Sequence, residues 1–97
     1  MRVFISGNST HTREQFQKCV DNIEREGNVA VNPYEINEVL QNKLLRDPTW
    51  DEGVMVCLHH LSKCKAMIVL PDWQTSNTAY IYQLFATKLK IKIHYLN

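Results

Sequence analysis

Four short polar groups in this sequence could do chemistry, and each follows an apolar run. They begin at Ser6, Asn32, Pro71 and His94. Their hydroxyl and amide groups suit hydrogen bonds to a small polar ligand, and the rings of Tyr34 and Trp73 could hold a flat base between them. Helix N-termini behind the first and third groups favour an anion such as phosphate. The predicted ligand-binding residues are Ser6, Gly7, Asn8, Ser9, Asn32, Pro33, Tyr34, Trp73, Ser76 and Asn77.

Each group also has a purely structural interpretation. Residues 7–10 have the composition of a turn followed by a helix cap. Trp73 could plug the top of a sheet, since tryptophan is usually well buried. The pair Asn32-Pro33 could do no more than end a strand. Neither a G-x-G-x-x-G fingerprint nor a Walker lysine follows the first apolar run, so the common dinucleotide and P-loop sites are not expected.

The alternation of strands and helices predicts how these groups are brought together. Apolar runs at 3–5, 29–31, 66–70 and 91–95 are typical of strands. Helices are expected after the capping boxes that begin at Thr12 and Thr49, over 36–45, and over 77–89. This order predicts one α/β domain over 1–97, a Rossmann-like (flavodoxin-like) three-layer fold with a four-stranded parallel sheet of order 2-1-3-4. The carboxyl ends of its strands would then form one cleft.

The composition argues against several classes of function. The formal net charge is +1, and the one basic cluster is Lys88, Lys90 and Lys92, so nucleic acid is not an expected partner. The sequence has no apolar run of transmembrane length and no signal-like segment at its start, which predicts a cytoplasmic protein without a membrane partner. An odd number of cysteines, three, favours reduced thiols over a disulfide framework.

Three potential metal ligands, Cys57, His60 and Cys64, share one stripe of a predicted helix. Their spacing fits no common zinc pattern. The two cysteines also lie on the face that is expected to be buried, where cysteine behaves as a small hydrophobe. We therefore expect no metal site and no cofactor.

A longer series of residues follows the order found in a known enzyme family. The series is Val3-Phe4-Ile5-Ser6-Gly7, Gly27, Val29-Ala30-Val31-Asn32-Pro33, Trp50, Met55, Cys64, Leu70-Pro71, Trp73, Ser76, Ala79 and Ala86. On these residues the chain resembles the small phage and bacterial proteins related to nucleoside 2-deoxyribosyltransferases. In that family a glutamate on the helix after the third such strand attacks the anomeric carbon of a nucleoside, and a neighbouring subunit helps to build the site. The resemblance implies a nucleoside or nucleotide as the ligand.

The resemblance breaks down at the catalytic position. The family's glutamate would fall at Tyr82, and a tyrosine, with an ordinary pKa of about 10, is mostly neutral at pH 7. An acidic residue often found near Leu58 is missing, and Lys65 replaces another. Asp72 stands where the family has a glycine and adds one carboxylate. The resemblance therefore implies a nucleoside- or nucleotide-binding protein with impaired catalysis, in which Tyr82 and Asp72 are the candidate catalytic residues.

Two alternatives stay open at this point. The first is an active N-glycosidase or deoxyribosyltransferase, acting on nucleosides or nucleoside monophosphates, that uses Asp72 or Glu35 as its carboxylate. The second is a homodimeric interaction module. Helix 77–89 is apolar on more than one side, and a domain of this size can cover only one of them. We therefore expect a homodimer formed through this helix.

Overall fold

The protein is described by a computed structural model that covers residues 1–7, 11–71 and 73–96. Its elements are β1 (Arg2–Ser6), α1 (Arg13–Arg25), β2 (Val29–Val31), α2 (Pro33–Leu44), α3 (Trp50–Leu61), β3 (Ala66–Val69), a short 3₁₀ turn (Trp73–Thr75), α4 (Asn77–Lys88) and β4 (Lys92–Tyr95). The predictions made for Asn8, Ser9 and Asp72 lie outside the described residues.

The four strands form one sheet in the order β2-β1-β3-β4, and every pairing is parallel. The predicted strand order is therefore confirmed. β1 lies in the centre, where Val3 pairs with Ala30 on one side and with Ala66 on the other. β4 is an edge strand with Lys92 and His94 exposed, as the alternation of its sequence indicates. Because all strands run the same way, their carboxyl ends share one edge of the sheet.

The helices cover the two faces of the sheet unequally. Val3 and Ile5 of β1 pack with the apolar stripe of α1 on one face. Phe4, between them, points to the other face, where α2, α3 and α4 contribute the larger core cluster. The resulting three-layer α/β arrangement is the predicted fold class. In the part of the chain that the structure describes, no helix has the length and apolar character needed to cross a membrane.

Local capping signals set the helix starts. Both predicted capping boxes are present: the Thr12 side chain accepts from the Gln15 backbone, and the Thr49 side chain from the Glu52 backbone. α2 begins at Pro33 and not at 36 as predicted, because the Asn32 side chain accepts from the Tyr34 backbone N–H at 3.0 Å. A proline in the first turn is compatible with this start, since it lacks an N–H that would need a partner. The start of α2 therefore borders the carboxyl edge of the sheet.

The cap of α3 makes the stability of the protein dependent on pH. Arg46 donates two hydrogen bonds of 2.8 Å to the Glu52 carboxylate, and this pairing, together with the Thr49 backbone N–H, lowers the pKa of Glu52 to about 2. A lowered folded-state pKa stabilises the fold above the unfolded-state value of about 4.3, and this contribution is lost as the pH falls through about 2.

Glu52→Gln is expected to lower the stability at neutral pH and to have little effect near pH 2, because glutamine keeps the capping geometry without the charge. Urea unfolding of both proteins between about pH 2 and pH 7 measures the difference. If the difference in the free energy of unfolding between the two proteins does not change with pH, the pKa of Glu52 is not lowered by the fold.

Candidate functional site

A cleft of ≈ 790 Å³ lies at the carboxyl edge of the sheet. It is lined by Gly7, Phe16, Pro33, Tyr34, Asn37, Trp50, Thr75, Ser76, Asn77, Thr78 and Tyr82. The lining includes five of the predicted ligand-binding residues, namely Gly7, Pro33, Tyr34, Ser76 and Asn77. Parallel α/β sheets bind their ligands at this edge, where loops and helix N-termini converge. The cleft is therefore the candidate functional site.

One wall of the cleft is the ring of Tyr34, which is held on several sides. Its hydroxyl donates to the His11 carbonyl oxygen at 2.9 Å, and its ring meets Phe16 edge-on with centroids 4.8 Å apart. The Arg13 guanidinium lies over the ring, 5.8 Å from the centroid, and pairs with Glu38 of α2. Because these contacts join α1 to α2, the Tyr34 ring is preorganised as a flat apolar surface.

The cleft lining also contains Trp50, the first residue of α3. Its side chain is 61% exposed, and the indole N–H donates to the Thr78 hydroxyl of α4 at 2.8 Å. The sequence reasoning used Trp50 only as a position of the family resemblance, and it did not select Asn37, Thr75 or Thr78. The signal in the sequence is a tryptophan directly after the cap residue Thr49, because the first position of a capped helix usually borders the solvent and the helix start.

The N-terminus of α4 forms the third side. The Ser76 hydroxyl accepts from the Ala79 N–H at 3.1 Å and so acts as the helix cap. Asn77 is exposed at the first helical position, where backbone N–H groups lack helical partners. This end of the cleft therefore offers hydrogen-bond donors and a positive helix terminus.

Tyr82 lies deeper, where the cleft meets the core. The residue is 6% exposed, and its ring packs edge-on against Phe4 with centroids 5.2 Å apart. Burial raises the pKa of Tyr82, and the neighbouring Cys57 raises it further. The phenol is therefore a neutral donor at physiological pH and a weaker nucleophile than an exposed tyrosine.

Ser6, at the end of β1, has the one buried side-chain polar atom without a hydrogen-bond partner among the described residues. The residue is fully buried, and it lies on the same face of β1 as Phe4, which contacts Tyr82. Buried hydroxyl groups in native proteins usually have a partner, so an unpaired one commonly marks a site for water or ligand. The predicted role of Ser6 in ligand binding stays a prediction, and this unpaired hydroxyl supports it.

Ser6→Ala is expected to leave the free energy of unfolding within about 0.5 kcal/mol of the wild type, because the hydroxyl makes no bond that would be lost. The matched control Ser76→Ala removes the cap of α4 and should cost about 1 kcal/mol. Chemical denaturation of both variants tests the pair. A larger loss for Ser6→Ala than for Ser76→Ala would show that Ser6 has a partner in solution.

Two of the predicted ligand-binding residues have other contacts. The Trp73 ring packs against Tyr95 of β4, with centroids 5.8 Å apart, and is not part of the cleft lining. This contact corresponds to the structural interpretation of Trp73 as a plug at the top of the sheet. Asn32 is 5% exposed, and its side-chain oxygen caps α2. The ligand roles of both residues stay predictions, and the exposed tryptophan of the described cleft lining is Trp50.

The described lining of the cleft contains no charged side chain. Glu35, one of the two carboxylates considered for catalysis, lines a different groove between α2 and α3. Asp72, the other, lies outside the described residues. The described part of the cleft is thus built from aromatic rings, amides and hydroxyls.

The cysteines are absent from the cleft lining and are buried. Burial raises the pKa values of Cys57 and Cys64, and that of Cys19 to about 11. Cys64 donates to the His60 carbonyl oxygen at 3.4 Å. Within residues 1–7, 11–71 and 73–96, no three His, Cys, Asp or Glu side chains come together as metal ligands.

Comparison with known proteins complements this geometry. Neither the curated proteins nor the solved structures contain a match to the chain. A family described as "Domain of unknown function (DUF4406)" matches residues 1–95, which is nearly the whole length. This match carries no information on nucleosides, so kinship with the deoxyribosyltransferases stays a prediction. Because the match covers residues 1–95, the chain belongs to the DUF4406 family of domains of unknown function.

Proposed function

We propose that the cleft binds an uncharged nucleoside and that the protein does so without transferring the sugar. The observation that carries the proposal is the chemistry of the lining: aromatic rings, among them Tyr34 and Trp50, with the amides of Asn37 and Asn77, and no charged group among the described lining residues. A purine or pyrimidine needs a flat apolar surface for its faces and amide or hydroxyl groups for its edge. The cleft of ≈ 790 Å³ is within the usual size of small-molecule sites.

The lining favours a nucleoside over a nucleoside phosphate. A phosphate is normally bound by arginine or lysine side chains in addition to a helix N-terminus. The described lining offers the N-terminus of α4 and no cation. The Arg13 guanidinium over the Tyr34 ring is already paired with Glu38. Of the two ligand classes expected from the sequence, the uncharged one therefore fits this cleft better.

The proposal of binding without transfer rests on Tyr82. Glycosyl transfer through a covalent intermediate needs a carboxylate that stabilises an oxocarbenium-like transition state. At the position where the deoxyribosyltransferases would have their glutamate, this chain has Tyr82, a buried phenol whose pKa is raised by burial. Such a group can donate one hydrogen bond but does not supply a negative charge at neutral pH.

Calorimetry with a panel of nucleosides and their 5′-monophosphates tests this proposal. We expect nucleosides to bind, and each monophosphate to bind more weakly than its nucleoside. Trp50→Ala should weaken binding about 10-fold, because base–aromatic stacking contributes about 1–3 kcal/mol. Met55→Ala is the matched control, since Met55 lies in α3 like Trp50, is similarly exposed (67% against 61%) and is absent from the cleft lining. No binding at millimolar nucleoside, or equal losses in both variants, would refute the proposal.

The active-enzyme alternative is decided by release of free base. Wild-type protein is expected to release none from nucleosides or nucleoside monophosphates under conditions in which it binds them. If base is released, Asp72→Asn identifies whether Asp72 supplies the carboxylate. Unchanged release by Asp72→Asn would exclude that residue as the carboxylate.

Self-association is the second candidate function, and one observation favours it. The outer side of α4 exposes Tyr80 (56%) and Leu84 (48%) one turn apart, and Leu89 is 46% exposed at the end of the helix. We propose that this surface pairs with a second copy of the chain, as expected from the apolar character of residues 77–89. Light scattering at micromolar concentration should give a dimeric mass, and Leu84→Lys should give a monomeric one. A monomeric mass for the wild type would rule the dimer out.

A further inference from the structure

A second groove of ≈ 400 Å³ lies between α2 and α3 and borders β2. Its floor is aliphatic and consists of Ala30, Val31, Ile36, Val39, Leu40 and Val56. Val39 is 54% exposed although it lies in the middle of this floor. The groove shares α2 with the nucleoside cleft, but the residues of α2 that line the two sites are different.

The charged groups of this groove are distributed unevenly along its length. Lys43 and His60 lie in the last turns of α2 and α3, and Arg2 is the first residue of β1. Glu35 lies in the first turn of α2, eight residues before Lys43 and hence about 12 Å away along the helix. The basic groups therefore cluster at one end, and the acidic group lies at the other.

The basic end has positive charge that no described carboxylate neutralises. Among the described residues, the ion pairs join Arg13 to Glu38 and Arg46 to Glu52, and neither Arg2 nor Lys43 takes part in one. The pKa of His60 is lowered by burial and by the positive charges of His59 and Arg2. An anion placed beside Arg2 would find a favourable field and little competition.

We propose that this groove binds a small amphipathic organic anion, an aliphatic carboxylate whose chain lies along the apolar floor and whose head group lies between Arg2 and Lys43. The aliphatic side chains remove the hydrocarbon chain from water. The guanidinium group matches a carboxylate in shape and charge. Glu35, at the far end, would repel the head group, so it sets the direction in which the ligand lies. This proposal is independent of the nucleoside cleft.

Two-dimensional NMR titration of the intact protein with octanoate, octan-1-ol and octylammonium tests the proposal. Octanoate should give saturable shifts at Ala30, Val39, Val56 and His60, and it should raise the pKa of His60, because an adjacent negative charge favours the protonated ring. Octylammonium should bind at least about 10-fold more weakly, since it places a like charge beside Arg2.

The double variant Arg2→Gln/Lys43→Gln should bind octanoate at least about 10-fold more weakly and bind octan-1-ol as the wild type does. Both side chains are exposed, so the fold should persist. Lys88→Gln, a lysine in the last turn of α4, is the matched control and should change neither affinity. Equal affinity for octanoate and octylammonium, unchanged octanoate binding in the double variant, or no saturable shift up to about 20 mM would each overturn the proposal.

Discussion

Tyr82→Glu is expected to lower the free energy of unfolding by about 3–5 kcal/mol, the largest effect of any substitution considered for this protein. The Tyr82 side chain is 6% exposed and packs edge-on against Phe4 at the centre of the larger core cluster. Glutamate removes the ring and leaves either a buried carboxylate or a rearranged core. Chemical denaturation and thermal melting measure the loss.

Tyr82→Phe is the control that separates the ring from its hydroxyl. It keeps the packing against Phe4 and removes only the hydroxyl, so it should cost about 1 kcal/mol or less. If Tyr82→Glu and Tyr82→Phe destabilise the protein equally, the packing of the Tyr82 ring does not contribute to the free energy of unfolding. In that case the placement of Tyr82 in the core is wrong.

The same glutamate variant also bears on the proposed function. Tyr82 lines the cleft, so a carboxylate at this position would face a nucleoside bound there. Below its melting temperature, Tyr82→Glu is expected to release free base from a nucleoside that the wild type only binds. If the variant binds the nucleoside but releases no base, the resemblance to the transferases extends to the binding residues only.

Gly7→Ala is expected to lower the free energy of unfolding by about 1–3 kcal/mol through overpacking. A β-carbon at this position would lie 2.8 Å from both the His11 Nδ1 and the Phe16 Cζ atoms, and 3.1 Å from the Leu70 Cδ1 atom. His11, Phe16 and Leu70 are all buried, so they have little room to move. The melting temperature should fall by about 4–8 °C for each kcal/mol lost.

Gly53→Ala is the matched control for this glycine. Gly53 lies inside α3, where alanine is favoured over glycine by about 0.5–1 kcal/mol. The new β-carbon would lie 3.1 Å from the side-chain oxygen of Asn37, which is exposed and can turn away. Gly53→Ala should therefore be neutral or slightly stabilising. If Gly7→Ala were equally neutral, the close packing beneath the cleft would be disproved.

The sequence predicts features that depend on short stretches of chain. The capping boxes at Thr12 and Thr49 use side chains that are three residues from their partners, so their geometry is local. The strand order follows from the alternation of elements and the handedness of the crossovers between parallel strands. The place of the cleft follows in turn, because the carboxyl ends of parallel strands share one edge.

The first residue of α2 could not be predicted from the local sequence pattern. In the sequence, Asn32-Pro33 is typical of the end of a strand, and the apolar pattern predicts a helix start at 36. In the structure Asn32 caps a helix that begins at Pro33 itself. The same two residues satisfy both patterns, and the apolar stripe of α2 becomes regular only after Pro33. The first turn therefore has no periodic signal of its own.

The sequence by itself determines a parallel α/β domain with a polar cleft at one edge of the sheet, because element order and capping are properties of neighbouring residues. Only the tertiary structure decides which aromatic rings face that cleft. It places Trp73 against Tyr95, Trp50 against Thr78, and Tyr82 under the cleft against Phe4. These contacts join residues that lie 22, 28 and 78 positions apart in the sequence. They depend on how three helices pack on one face of the sheet, which no local pattern encodes.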